Sequence, residues 1–206
     1  MDISKGYEKK QDGVLHQLNS VPIQYDNAYV GQAAFSHKST ANLRVGYILE
    51  HIPASELISV LDFGSGQGHF VKNMNSVIPT SAYDLANLPE LEDFYIQNPY
   101  QYNFSLVTFF DSLEHCYDIG WVISNIKARY ICISVPWCHS YSEYWMTKWR
   151  HFKPNEHLWY FTEKSLLTFM DRMGYNCLYR GNIEDCLRKP QYIDLPNILT
   201  GIFHKR

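Results

Sequence analysis

Apolar positions along the chain switch between two periods. Over residues 42–52, Leu43, Tyr47, Ile48, Leu49 and Ile52 recur near helical spacing, and Pro53 stops the run, which predicts a helix. At 58–63 the pattern changes to a strand, with Val60, Leu61 and Phe63 ahead of Gly64. Residues 68–74 return to helix, and 80–83 form a short strand ending at Asp84. The stretch 85–102 carries Pro89 and Pro99 and predicts little regular structure. Residues 104–110 and 130–135 are apolar throughout, as parallel strands covered on both faces are. A short helix is predicted between them at 119–126. The next helix is 162–173, with Thr162 as N-cap, Leu166, Leu167, Phe169, Met170 and Met173 facing inward, and Gly174 at its end. The last strands fall at 175–179 and 198–204 and are expected to pair as an antiparallel hairpin. This alternation predicts an α/β fold of one domain, residues 1–206, with a mostly parallel central sheet, helices on both faces and an antiparallel C-terminal edge.

Two segments stand apart from the alternation. Residues 1–41 read as an arm on the substrate side: polar and weakly patterned over 1–20, a short helix or a loose arm, and loop with at most a short helical turn over 21–36. Residues 136–158 form an insertion rich in Trp, Tyr, Phe and His. Loops of that length in compact domains commonly carry function, so a lid over a bound molecule is expected there.

Composition narrows the class. Hydrophobic residues are 46% of the 206 and charged residues 19%, which excludes a disordered chain. The formal net charge of -3 disfavours a protein that grips nucleic acid by its backbone. The five cysteines are odd in number and form no CxxC, so free thiols are expected, with Cys132 as a small core residue. No apolar leader or membrane-length run is present, and a cytoplasmic protein is expected.

Chemistry concentrates after the first predicted strand, in Asp62-Phe63-Gly64-Ser65-Gly66-Gln67-Gly68. Glycines at this point let the backbone turn sharply and approach a ligand closely. Ligands of such sheets bind beyond the carboxyl ends of the strands. Asp84, closing the second strand, is placed to accept the hydroxyls of a ribose. The glycine segment resembles motif I of class I S-adenosylmethionine-dependent methyltransferases. Asp111-Ser112-Leu113-Glu114-His115 resembles the Asp-x-Leu-Glu-His segment of their broad small-molecule branch, and Ser134-Val135-Pro136, Glu156-His157, Phe161-Thr162 and Gly174-Tyr175 resemble its second half. The resemblance covers about residues 42–179. It implies a Rossmann-like fold and S-adenosylmethionine as cofactor. Asp62, Gly64, Ser65, Gly66 and Gly68 would then cup its methionine part and sugar, Asp84 its ribose, and Asp111 its reacting end. Two departures are visible: the usual third strand is hard to find between Asp84 and Phe104, and Ser105 stands where an acidic residue is often seen.

On the acceptor side, His115 reads as the general base, with a fixed hydrogen-bonded residue as the other reading. Trp137, His139, Tyr141, Trp149, Arg150 and His157 are the expected acceptor-binding residues; the aromatics among them read equally as a satellite core. The favoured function is O-methylation of a small-molecule or glycan hydroxyl, in a chain that allows a homo-oligomer. A nucleic-acid methyltransferase and a non-catalytic binding domain are the alternatives. Asp111, Glu114, His115 and His157 also resemble the metal set of small-RNA 3'-end 2'-O-methyltransferases. That family's first Glu is Asp111 here, and its Phe-Glu-Trp after the later His is absent. The expectation is therefore a site without metal.

Overall fold

The computed structural model describes residues 5–21, 23, 38–86 and 88–206. Two small strands open the described chain, β1 (Tyr7–Lys9) and β2 (Leu15–Gln17). Helix α1 (Lys38–His51) leads into β3 (Val60–Phe63), α2 (His69–Asn75) and β4 (Thr80–Tyr83). Two 3-10 helices, Pro89–Phe94 and Pro99–Gln101, precede β5 (Asn103–Phe110). Then follow α3 (Ile119–Asn125), β6 (Lys127–Pro136), α4 (Glu143–Met146), β7 (Trp159–Tyr160), α5 (Glu163–Arg172), β8 (Tyr175–Gly181) and β9 (Ile198–Lys205).

The main sheet has the order β4-β3-β5-β6-β9-β8. β4, β3, β5 and β6 run parallel, with Val60 opposite both Thr80 and Leu106, and Leu106 opposite Tyr130. β9 enters antiparallel between β6 and β8, so the predicted terminal hairpin forms with its earlier strand, β8, at the edge. The missing third strand is reduced to one parallel bridge between Ala82 and Tyr95. Sequence order reverses between β3 and β5, which puts a ligand crevice at their carboxyl ends.

Alternate residues of each central strand feed opposite faces. Leu61, Val107 and Ile131 pack with Ile123 of α3 and Phe169 of α5. Val60, Leu106 and Tyr130 pack with Ile48 of α1 and Phe70 and Met74 of α2. Two-sided burial is why these strands read as continuous apolar runs. Ser105 lies at the amino end of β5. Its hydroxyl accepts from the Ile58 and Ser59 amides, both at 3.0 Å, so it joins β5 to the start of β3 at the edge away from the crevice.

Two expectations need correction, and a third goes untested. The helix predicted at 42–52 begins a turn earlier, at Lys38, where no apolar periodicity marks it. Part of the weakly patterned 1–20 segment is neither helix nor loose arm. It forms the β1–β2 hairpin, which pairs antiparallel with β7 to make a second, three-stranded sheet. Strands of two or three residues carry almost no sequence pattern, and this pairing spans most of the chain. The 21–36 loop expectation falls, except for residues 21 and 23, outside the described residues.

Candidate active site

The glycine turn is built as its sequence demands. Gly64, Gly66 and Gly68 all have positive φ, at 83°, 49° and 71°. Two of the three also leave no room for a side chain. A Cβ on Gly64 would run into Ser112, and one on Gly68 into Leu91. A Cβ on Gly66 would meet nothing within 4 Å, so this glycine faces open space. The Ser65 hydroxyl beside it is buried and finds no hydrogen-bond partner of ordinary geometry. A buried orphan hydroxyl next to an open glycine is what a polar ligand of this turn would complete.

Asp84 closes the turn from the neighbouring strand. One carboxylate oxygen accepts from the Gly66 amide at 2.7 Å and the other from the Ala86 amide at 2.9 Å. The carboxylate is fixed and keeps lone pairs free. Asp62 points into the sheet instead. It is buried, accepts from the Thr108 hydroxyl at 2.6 Å, and burial pushes its carboxyl up to about 7. Its place is under the turn.

Across the crevice, Ser112 donates to the Phe63 carbonyl at 2.6 Å and locks the end of β5 to the end of β3. Asp111, just before it, holds φ 52°, a rare conformation for a residue with a side chain. Both its oxygens are engaged by arginines. Arg44 of α1 donates at 2.8 Å, and Arg188 donates to each oxygen at 2.8 Å. The fully buried Glu184 completes the set, accepting from Arg44 at 2.7 and 2.9 Å and from Arg188 at 2.9 Å. Two arginines balance two carboxylates. The arginines hold Asp111 far below the ordinary carboxylate range. Asp111 therefore anchors the crevice wall through Arg44 and Arg188, whatever else it meets. Sequence reasoning missed Arg44, Glu184 and Arg188: Arg44 lies 140 residues from Glu184, and Glu184 and Arg188, four apart, form no motif by themselves.

Beyond Ser112, Leu113–His115 make one 3-10 turn. It brings Glu114 and His115 to His157, and one ligand atom from each lies within 4.8 Å of the others. The rings of His115 and His157 meet edge to face with centroids 4.8 Å apart. His157 is tied at Nδ1 to the His151 carbonyl at 2.9 Å. His151 in turn meets Asn197 Oδ1 at 2.9 Å, and Asn197 donates to the Arg188 carbonyl at 3.0 Å. Burial lowers the pKa of His115 and of His157, and takes His151 down to about 4, so the three imidazoles are neutral at pH 7. Glu114 is 1% exposed, and neither of its oxygens has a partner. Burial, helped by Asp111 nearby, pushes its carboxyl well above the ordinary value. His151 was not singled out in the sequence; the cluster of histidines in 139–157 was its only signal.

The expected acceptor residues divide. Trp149 is buried with Tyr7, Leu15, Met146 and Tyr160, and Tyr141 packs against the same satellite core. Tyr141 also donates to the Tyr160 carbonyl at 2.9 Å. Arg150 is held by the 188–191 segment, donating from its guanidinium to the Lys189 carbonyl at 2.6 Å. Trp137 and His139 stack, with centroids 5.6 Å apart, and line an open cavity of about 560 Å³ with Thr162, Lys164 and Leu167 of the α5 region. No residue of the glycine turn lines that cavity. The 136–158 insertion is thus partly a small core. The hairpin holds it in place: the Gln17 side chain exchanges two hydrogen bonds with Asn155, at 2.9 and 2.7 Å.

A parallel sheet reversing at β3 and β5, a glycine turn open at Gly66 and a carboxylate on the next strand define a nucleotide-type methyltransferase site. The chain belongs to the methyltransferase domain family, whose model matches residues 37–179. No curated protein matches it in sequence. Solved structures share the fold. The 1,6-didemethyltoxoflavin-N1-methyltransferase of Burkholderia thailandensis, with 1,6-didemethyltoxoflavin and S-adenosylhomocysteine bound, is 12% identical with TM-score 0.63, covering 97% of this chain and 98% of its own. Magnesium protoporphyrin IX methyltransferase of Synechocystis PCC 6803, with S-adenosylhomocysteine bound, is 13% identical with TM-score 0.59, covering 87% and 86%. A methyltransferase of Archaeoglobus fulgidus dependent on S-adenosylmethionine is 17% identical with TM-score 0.56, covering 80% and 94%.

Proposed function

We propose that this methyltransferase uses S-adenosylmethionine to methylate a hydroxyl of a small-molecule or glycan acceptor. The observation that carries the reading is the pairing across Ser112. An open glycine turn stands on one side, and a neutral histidine pair, His115 and His157, stands on the other.

Gly64, Ser65, Gly66 and Gly68 would hold the methionine part and sugar, and Asp84 the ribose hydroxyls. The cofactor supplies an activated methyl group on a sulfonium. The remaining work is alignment, exclusion of water and removal of the acceptor's proton. His115, neutral through burial, offers a ring-nitrogen lone pair where that proton must leave. His157 orients the His115 ring edge to face. Trp137 and His139, at the cavity over α5, are the acceptor contacts this reading retains from the insertion.

The test is mass spectrometry of small molecules co-purified with the native protein, followed by methylation of paired hydroxyl and amine acceptors. A methyl ether as product is expected. Methylation confined to nitrogen would overturn the hydroxyl assignment and keep the cofactor.

A further inference from the structure

Trp137 and His139, just past the carboxyl end of β6, line a cavity of about 560 Å³ together with the first turns of α5. That volume lies within the range of ligand cavities, roughly 300–1,000 Å³. The walls are fixed by the backbone. Trp137 bridges to Phe161, the Cys138 amide donates to the Phe161 carbonyl at 2.9 Å, and His139 Nε2 donates to the Pro196 carbonyl at 2.7 Å. The two stacked rings, inclined by 16°, therefore form a ready-made aromatic wall.

The side chains of α5 beside that wall offer both kinds of hydrogen-bonding group. Lys164 is exposed and makes no ion pair among the described residues, so its ammonium keeps its donors. Thr168 spends its hydroxyl hydrogen on the Lys164 carbonyl at 2.9 Å, which leaves the oxygen to accept. Glu163 is charge-balanced by Arg180 and can still accept at its second oxygen. Leu167 adds apolar surface between them.

A sugar ring answers this lining. Its C–H face packs on an aromatic wall, and each of its hydroxyls both donates and accepts. A bare aromatic ring would pack on the same wall and leave the donors and acceptors of α5 unanswered.

The cavity is set apart from the transfer point. Neither the glycine turn nor Ser112, His115 or His157 lines it. β6 lies one strand from β5 and two from β3, so a molecule reaching from the glycine turn to Trp137 crosses about 10 Å, two strand spacings. A single six-membered ring is shorter than that.

We propose that this cavity binds a sugar ring of the acceptor that is not itself methylated, so that the acceptor is an oligosaccharide or glycoside of at least two rings. Binding energy from the remote ring then serves to hold the reacting hydroxyl in place. That the bound sugar belongs to the acceptor rests on the proposed function; sugar binding at Trp137 does not.

The experiment follows the indole N–H signals of the isotope-labelled full chain by NMR, with Trp137 assigned through Trp137→Phe. The probes are the methyl glycosides of glucose, galactose, mannose, rhamnose, N-acetylglucosamine and glucuronic acid, with phenol and hydroxybenzoate for comparison. At least one glycoside is expected to shift the Trp137 signal saturably. Lys164 and Thr168 are exposed, so Lys164→Ala and Thr168→Val leave the core intact. Lys164→Ala should weaken that glycoside by about tenfold, through loss of a charge-assisted hydrogen bond, and Thr168→Val by less. No shift with any glycoside, shifts with the aromatic probes alone, or unchanged affinity in both variants overturns the sugar site. The sugar that binds is then offered with S-adenosylmethionine as its monoglycoside and as its disaccharides, and methyl transfer to a disaccharide alone is expected. Equal kcat/KM for the monoglycoside overturns the two-ring acceptor. Turnover of neither, beside intact glycoside binding, overturns the link to the acceptor and leaves the sugar site standing.

Discussion

Ser112 occupies the space that a side chain on Gly64 would need, so the end of β5 closes directly on the glycine turn. Gly66, two residues on, has nothing opposite it. The two glycines therefore respond differently to substitution. Gly64→Ala combines an unfavourable φ with overpacking and should destabilise by about 2–5 kcal/mol. Gly66→Trp, at φ 49°, should leave the protein folded and block cofactor binding by filling the open side of the turn. Urea unfolding and calorimetry with S-adenosylhomocysteine check the pair; equal stability of Gly64→Ala and wild type would contradict the packing account.

Asp84 is held by two amides, and its remaining lone pairs would accept from the ribose diol on the proposed reading. Asp84→Ala should weaken S-adenosylhomocysteine by roughly 2–4 kcal/mol, the worth of two charge-assisted hydrogen bonds. Unchanged affinity by calorimetry would remove Asp84 from the binding site.

His115→Ala should separate chemistry from binding. Turnover should fall by about 10²- to 10⁴-fold, while cofactor affinity stays within about twofold. Loss of both together would make His115 a structural residue of the crevice.

Asp62 gives a pH signature with a definite sign. Its folded pKa is raised, from 3.8 to about 7, chiefly by burial. A raised pKa means that stability from this group is fully present below pH 3.8 and is lost as pH rises through about 7. Asp62→Asn keeps the acceptor for Thr108 and removes the ionisation. The variant should gain stability relative to wild type above pH 7, and the difference should shrink toward pH 4, as followed by urea midpoints. A constant offset across that range would refute the assignment.

The Arg44–Glu184 ion pair is buried, with Glu184 fully inaccessible. Arg44→Met leaves the buried Glu184 with Arg188 as its remaining arginine and should cost up to about 3–5 kcal/mol. Asp111 moves opposite to Asp62. Its pKa is lowered from 3.8 by Arg188 and Arg44, so its contribution holds above that value and is lost only as pH falls through the lower folded one. Asp111→Asn should flatten the acid limb of the stability curve below about pH 4, measured by the same unfolding experiment.

The central sheet was legible because two-sided burial writes itself into β3, β5 and β6 as unbroken apolar runs. The turn at Gly64–Gly68 was legible because positive φ and close approach leave glycine almost alone at those positions. Asp84 followed from the strand that ends there, and Thr162 from the capping of α5. These are local constraints, and local physics leaves a mark at each residue. What the chain alone left open depends on partners distant in sequence. Whether Trp149 and Tyr141 wall a pocket or fill a satellite core was decided by Tyr7 and Leu15, brought beneath them by strands too short to show a period. Whether Asp111 faces ligand or arginine was decided by Arg44 and Arg188, 67 and 77 residues away. A charge pair or a three-residue strand pairing imposes no spacing on the sequence, so only the tertiary structure could choose among the partners.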